Sequence, residues 1–307
     1  MTGDARPVSP WSDRLVLGEG ARWVDGRLVL VDILTGRLLE APAGDRAGAA
    51  ADALGESPAA LRTIAELPFH LGAVAPVADA PGSWIAAAGT GICLLSPDGG
   101  IDWLARPEDD NPAESRMNDG VADPSGRFWA GSMAYDVTPG AGCLYRVDPG
   151  GGVTRVLDGI TVPNGPAFNG DGSLMYLADS ARSTVHRYPV DASSGALGRP
   201  EAFVTLAAGE GKPDGMTVDC EGGVWIAIWG AGAVHRYRPD GALDRVIGLP
   251  APQPTSVCLG GRDGRVLHIT SASVGRDPAQ PYEGAVFRVE VEVPGPPTPC
   301  YRRERDR

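Results

Sequence analysis

The chain is poor in the residues that build most reactive centres. Its 307 residues include four histidines (His70, His186, His235, His268) and five cysteines (Cys93, Cys143, Cys220, Cys258, Cys300). The cysteines are odd in number, scattered and never closely paired. That excludes zinc-knuckle spacing and offers no disulfide framework, so a reducing cytoplasm is the expected compartment. There is no G-x-S-x-G nucleophile elbow, no H-E-x-x-H zinc motif and no P-loop. No apolar run approaches the ~20 residues of a membrane helix, so no membrane partner is expected. The opening MTGDARPVSPWSD has no basic region followed by an apolar core, so no secretory leader is expected. Long apolar stripes of 3.6-residue period are missing, which leaves little room for helix. Positive charge is short as well: the net charge of −12 argues against nucleic acid, whose phosphates would be repelled.

What the chain has in quantity is glycine and proline, 43 and 28 residues, as suits many short strands joined by tight turns. One phrase recurs six times: a small-residue step, a short apolar run, a Gly-containing turn and a second apolar run. It begins at Gly20, Gly72, Gly120, Gly165, Gly215 and, more loosely, near Ser256, at spacings of 41 to 52 residues. A repeat of this length built from strands is the pattern of a β-propeller. The expected fold is all-β, a six-bladed propeller with four-stranded antiparallel blades. In the third blade the strands are expected at Gly120–Ala122, Arg127–Ala130, Cys143–Val147 and Val153–Leu157. Trp84, Trp129, Tyr176 and Trp225 recur in or near second strands and are expected to pack between blades. PGPPTP cannot continue the last sheet, so Arg14–Leu17 is expected to complete that blade and close the ring. Residues 1–12 read as a lead-in and 13–294 as one propeller domain. Residues 295–307 read as a tail whose charged end, YRRERDR, should be solvated. Residues 41–60 read as a surface loop, and 133–142 as a connection long enough to reach over a central cavity.

The copies are unequal. Glu19, Asn164 and Asp214 stand immediately before the glycine that opens a first strand, and Asn118 stands one residue earlier, beside Asp119. Repeats two and six have no acid or amide there. First strands of a propeller are innermost, so these positions converge on one axis. Two carboxylates and two amide oxygens there make a hard cage for one divalent cation, calcium first, with zinc, manganese or magnesium as alternatives. The bland alternative is that Asn-Gly and Asp-Gly are ordinary turn dipeptides. His186 and His235 hold matching third-strand positions and read as structural. His70 precedes the second repeat and is a candidate to line the pocket.

Four segments, LGEGARW (17–23), RMNDGVADPSGRFWAGSM (116–133), TVPNGPAFNGDGSLMYLADS (161–180) and GKPDGMTVDCEGGVWIAIWG (211–230), carry a resemblance to the SMP-30/gluconolactonase/luciferin-regenerating enzyme family. The resemblance implies a propeller with one catalytic divalent cation at the channel mouth. Glu19, Asn164 and Asp214 would be its ligands, with Asn118 a further ligand or substrate contact. It makes Arg116 the substrate-binding arginine and keeps Asp119 at the family's acidic position. Where the family often has a Glu after the G-[ST]-M segment, this chain offers Tyr135 and Asp136, and Asp136 is taken as the substrate contact. The activity so implied is lactone hydrolysis on a small-molecule substrate, with Asp214 joining metal ligation to general-base work and Arg116 holding substrate oxygens. The plain alternative for Arg116 is a structural pairing with Asp119. Competing functions are a cation-dependent esterase or phosphotriesterase, a lactonase of specialised metabolism, and a propeller that binds metal without catalysis. A monomer or weak homodimer is expected.

Overall fold

A computed structural model describes residues 11–41, 60–276 and 281–304. Most of the expected surface loop, most of the lead-in and the last three residues lie outside the described residues. Six small antiparallel sheets account for nearly all regular structure. The first is β1 (Gly18–Val24), β2 (Arg27–Asp32), β3 (Arg37–Glu40) and β4 (Arg62–Glu66). The second is β5 (Leu71–Pro76), β6 (Trp84–Ala88), β7 (Gly91–Leu95) and β8 (Ile101–Ala105). The third is β9 (Ser115–Ala122), β10 (Phe128–Ala134), β11 (Gly142–Val147) and β12 (Val153–Ile160). The fourth is β13 (Pro163–Phe168), β14 (Leu174–Asp179), β15 (Thr184–Pro189) and β16 (Glu201–Thr205). The fifth is β17 (Lys212–Val218), β18 (Val224–Trp229), β19 (Ala233–Tyr237) and β20 (Leu243–Gly248), and the sixth is β21 (Pro254–Gly260), β22 (Val266–Ser271) and β23 (Phe287–Glu290). No helix among the described residues is long and apolar enough to cross a membrane.

The first strands β1, β5, β9, β13, β17 and β21 touch one another in a closed ring. They are almost entirely buried, whereas the outer strands β4, β12, β16 and β20 are largely exposed. The core therefore lies between blades. Ala73, Ile85 and Ile92 of the second blade pack with Met117, Phe128 and Tyr145 of the third, and Trp225 and Val234 of the fifth with Val257 and Phe287 of the sixth. The recurring aromatics do this packing, as expected: Trp129, Tyr176 and Trp225 are each at most 2% exposed. Trp129 and Trp225 turn their indole N–H to the same kind of partner, the carboxylates of Asp123 and Asp219 in the preceding turn, both at 2.9 Å. Each large apolar side chain so buried contributes roughly 1.5–3 kcal/mol.

Two expectations need correction. The first strand of the third blade begins at Ser115 rather than Gly120, so Asn118 and Asp119 lie inside it. Residues 301–304 are not a free tail. Tyr301 is fully buried in the core between blades two and three, its backbone bonds to Pro76 and Ala78, and Arg302 and Glu304 bond to Gly126 and Pro149. A buried phenol ring outweighs the charges of Arg302, Arg303 and Glu304, which stay exposed. The sixth sheet has three ladder strands among the described residues. Beside it, Trp11 and Leu15 donate backbone hydrogen bonds to Val286 and Gly284, and Leu17 bridges to Ala272.

Candidate active site

Every first strand carries an irregularity at the same phase. The register slips between Glu19 and Arg22, between Leu71 and Ala73, opposite Ala130–Ser132 in β9, between Asn164 and Ala167, between Pro213 and Met216, and between Pro254 and Val257. A bulge puts an extra residue into one strand and re-aims the side chains around it. Glu19, Asn118, Asp119, Asn164 and Asp214 all sit at these bulges. The glycine of the repeated phrase is what lets neighbouring first strands approach there. A Cβ on Gly72 would lie 2.1 Å from the Asn118 carbonyl oxygen, and one on Gly215 would lie 2.7 Å from the Cβ of Ser256.

The expected residues converge. Glu19, Arg116, Asn118, Asp119, Asn164 and Asp214 are all buried, between 3% and 8% exposed. Burial pushes the Glu19 carboxyl well above its ordinary range, and Asp119 and Asp214 add to the shift by repulsion. Burial and Asp119 do the same to Asp214, which is within hydrogen-bond reach of Glu19. Asn164 donates its Nδ2 to Ser180 Oγ at 2.8 Å, which turns its Oδ1 the other way, to Asn118 Nδ2 at 3.0 Å. Asn118 is a link in this chain: its Nδ2 also reaches the Pro163 carbonyl, and its Oδ1 accepts from Arg116 Nη1 at 2.7 Å.

Arg116 is therefore not paired with Asp119. The partner of Asp119 is Arg22, whose Nη2 is 3.7 Å from Oδ1. The two Asp119 oxygens also accept from the backbone N–H groups of Gly120 and Gly165, and burial raises the carboxyl to about 6. Asp136 lies outside the cluster. It is fully exposed, and its Oδ1 accepts from the N–H and hydroxyl of Thr138, closing its own turn. Its neighbour Tyr135 is 44% exposed, but its hydroxyl is 2.8 Å from His70 Nδ1, and both groups feel the charge of Arg116. His268, by contrast, is buried against Trp23 with ring centroids 5.1 Å apart, and burial lowers its imidazole to about 3. His235 Nδ1 meets the Tyr237 hydroxyl at 2.9 Å on the third strand of its blade.

Arg22 was legible only as a polar residue after the first glycine, with nothing in its spacing to mark a partner in another blade. At the far end of the channel Arg22 lines a chamber of about 450 Å³ together with Cys258, Met216 and the C-terminal segment Pro296–Cys300.

The donor set fits a hard divalent cation. Two buried carboxylates whose charged forms repel each other, with an amide oxygen beside them, are stabilised by a dication and destabilised without one. Among the described residues no group of three or more His, Cys, Asp and Glu side chains forms a metal cluster. Here the third protein oxygen would come from an amide, Asn164.

Fold and site together define a six-bladed propeller with an acid and amide cluster where its first strands converge. The chain belongs to the SMP-30/Gluconolactonase/LRE-like family, whose pattern matches residues 17–273. It is 34% identical to the 6-deoxy-6-sulfogluconolactonase of Pseudomonas putida over 293 residues, covering 93% of this chain and 95% of that one. It is 38% identical to the pentonolactonase XacC of Haloferax volcanii over 191 residues, a match that spans 60% of this chain and just under two thirds, 65%, of that protein. Among solved structures, the calcium-binding protein regucalcin of Agrobacterium tumefaciens superposes with a TM-score of 0.84 at 31% identity, covering 96% of this chain and 98% of that one.

Proposed function

We propose that this protein is a cation-dependent hydrolase that opens lactone rings. The observation that carries the reading is the cluster itself: Glu19 and Asp214, both raised by burial and by the nearby Asp119, lie with the Asn164 amide oxygen beside an arginine that has no carboxylate partner within 4 Å among the described residues. Two relatives named as lactonases and a solved relative described as calcium-binding support it.

Glu19, Asp214 and Asn164 would hold the cation. When bound, it would supply Lewis-acid polarisation of the lactone carbonyl and a more acidic water. The remaining chemistry belongs to the chain. Asp214 takes a proton from the attacking water as its oxygen bonds to the carbonyl carbon. The ring C–O bond then breaks, and the proton returns to the released alkoxide, giving the hydroxy acid. Arg116 is held by Asn118 and by the Met117 carbonyl through one nitrogen, Nη1, and orients substrate oxygens with its other edge. Asn118 and Ser180 fix the Asn164 amide so that its oxygen faces the cluster.

The substrate class is tested with a panel of aldonolactones, simple γ-lactones and aryl phosphotriesters. The protein is first stripped of metal, then supplied with calcium, zinc, manganese or magnesium. Lactone turnover that returns with one of these cations is expected. Activity confined to aryl phosphotriesters would replace this reading with a phosphotriesterase.

A further inference from the structure

Arg116 is a buried cation whose counter-charges stand off from it. It is 7% exposed, and among the described residues only its Nη1 donates to the protein, to Met117 O at 3.0 Å and Asn118 Oδ1 at 2.7 Å. No carboxylate lies within 4 Å of it among the described residues. Glu19 and Asp214 act on it from farther away. The other acids nearby are engaged or in water: Asp119 faces Arg22, Asp136 is bound to Thr138, and Glu114 is exposed. An unpaired guanidinium in a buried position is costly, and a planar carboxylate matches its free edge with two parallel hydrogen bonds.

A second donor stands beside it. Met133 on β10 pairs directly with Arg116 on β9, so Tyr135, two residues on, projects from the same face as a diagonal neighbour. Its backbone is fixed by a hydrogen bond from its N–H to the Glu114 carbonyl. His70, at the entry to β5 in the adjacent blade, places Nδ1 2.8 Å from the Tyr135 hydroxyl. If Nδ1 carries the ring proton it donates to that oxygen, and the phenol O–H is left free to donate elsewhere. An acidic group between Tyr135 and Arg116 selects this arrangement.

We infer that Arg116 and Tyr135, with His70 orienting the phenol, form a carboxylate receptor beside the reacting ring, and that the preferred substrate is a lactone bearing a free carboxylate. The inference rests on the lactonase reading for the ring that opens, but the receptor itself does not. Tyr135 touches the substrate in this scheme, and His70 is a positioning residue.

The experiment compares D-glucaro-1,4-lactone, which carries a carboxylate, with neutral D-glucono-1,5-lactone, on calcium-supplied protein. The ratio of kcat/KM should favour the carboxylated lactone by about tenfold or more, as a hydrogen-bonded charge pair in a partly desolvated site allows. Tyr135→Phe should reduce that ratio about tenfold, mainly through KM. His70→Ala should reduce it as well, and His70→Gln, which keeps an N–H donor, should restore most of it. A wild-type ratio near one, or a ratio unchanged in Tyr135→Phe, overturns the proposal. In parallel, calorimetry compares the inert D-glucarate and D-gluconate. Tighter binding of D-glucarate that depends on Tyr135, with no turnover of either lactone, would sustain the receptor and refute the lactonase reading. No preference for D-glucarate refutes the receptor whatever the turnover.

Discussion

Arg22 and Asp119 face each other from the first and third blades, with Arg22 Nη2 3.7 Å from Asp119 Oδ1 and 2.6 Å from the Gly120 carbonyl oxygen. Asp119 also accepts from the Gly165 backbone. One buried ion pair thus ties three first strands together between the acid cluster and the far chamber. Removing only the cation side strands a buried carboxylate. Arg22→Met is expected to lower stability by about 3–5 kcal/mol. Adding Asp119→Asn should recover part of that loss, and urea unfolding of the two singles and the double at neutral pH measures the coupling. Additive losses would show that the pair does not act as a unit.

Glu19 and Asp214 make stability depend on pH and on the cation together. Both carboxyls are raised in the folded chain by burial and by neighbouring carboxylates. A group raised on folding lends its stability below its unfolded value, near pH 4, and that stability is lost as pH rises through the folded value. In chelated protein, Asp214→Asn should therefore gain Tm relative to wild type between about pH 5 and pH 8. Added calcium should raise the Tm of wild type and leave that of the variant nearly unchanged. A Tm difference independent of pH in the chelated proteins would show that the Asp214 carboxyl is not raised on folding.

Gly72 is expected to be intolerant for want of space rather than for backbone angle. An added Cβ would meet the Asn118 carbonyl oxygen at 2.1 Å, on the strand that carries Asn118 and Arg116. Gly72→Ala should lose about 1–3 kcal/mol, as overpacking does, and should slow lactone turnover with it. Gly152→Ala is the control, since nothing lies within 4 Å of its added Cβ; it should be neutral or slightly stabilising.

The chain end should be part of the fold. Tyr301 lies in one core with Phe128 and Val147 and bonds through its hydroxyl to the Asp148 carbonyl. Tyr301→Ala is expected to remove about 3–5 kcal/mol, the range for truncating a large buried ring. A Tm within a degree or two of wild type would place the ring in solvent.

The ring of blades and the cluster could be read from sequence because both are periodic. Gly20, Gly165 and Gly215 mark the phase, and Glu19, Asn164 and Asp214 break it in one place each. What could not be read lacks a period. Arg22 finds Asp119 two blades away, a relation set by the closure of the ring rather than by spacing. Tyr301 sits in a charged segment, and only its packing against blades two and three reveals it as core. The choice between Tyr135 and Asp136 depended on local bonding: Thr138, two residues on, captures Asp136 in its own turn, while the Tyr135 hydroxyl bonds to His70 of the adjacent blade. The bulges moved the expected strand starts, because an extra residue in a ladder leaves the apolar pattern intact and changes only its register.

The central claim is that lactone hydrolysis requires a cation held by Glu19, Asn164 and Asp214. It is tested most directly by following turnover of a lactone substrate through exhaustive chelation and restoration of calcium, zinc, manganese or magnesium, in wild type and in Asp214→Ala, with thermal unfolding to confirm that the variant folds. Wild-type activity is expected to vanish on chelation and return with an added cation, and the folded variant is expected to stay inactive under every condition. Full activity after exhaustive chelation, or unchanged activity in Asp214→Ala, would contradict it.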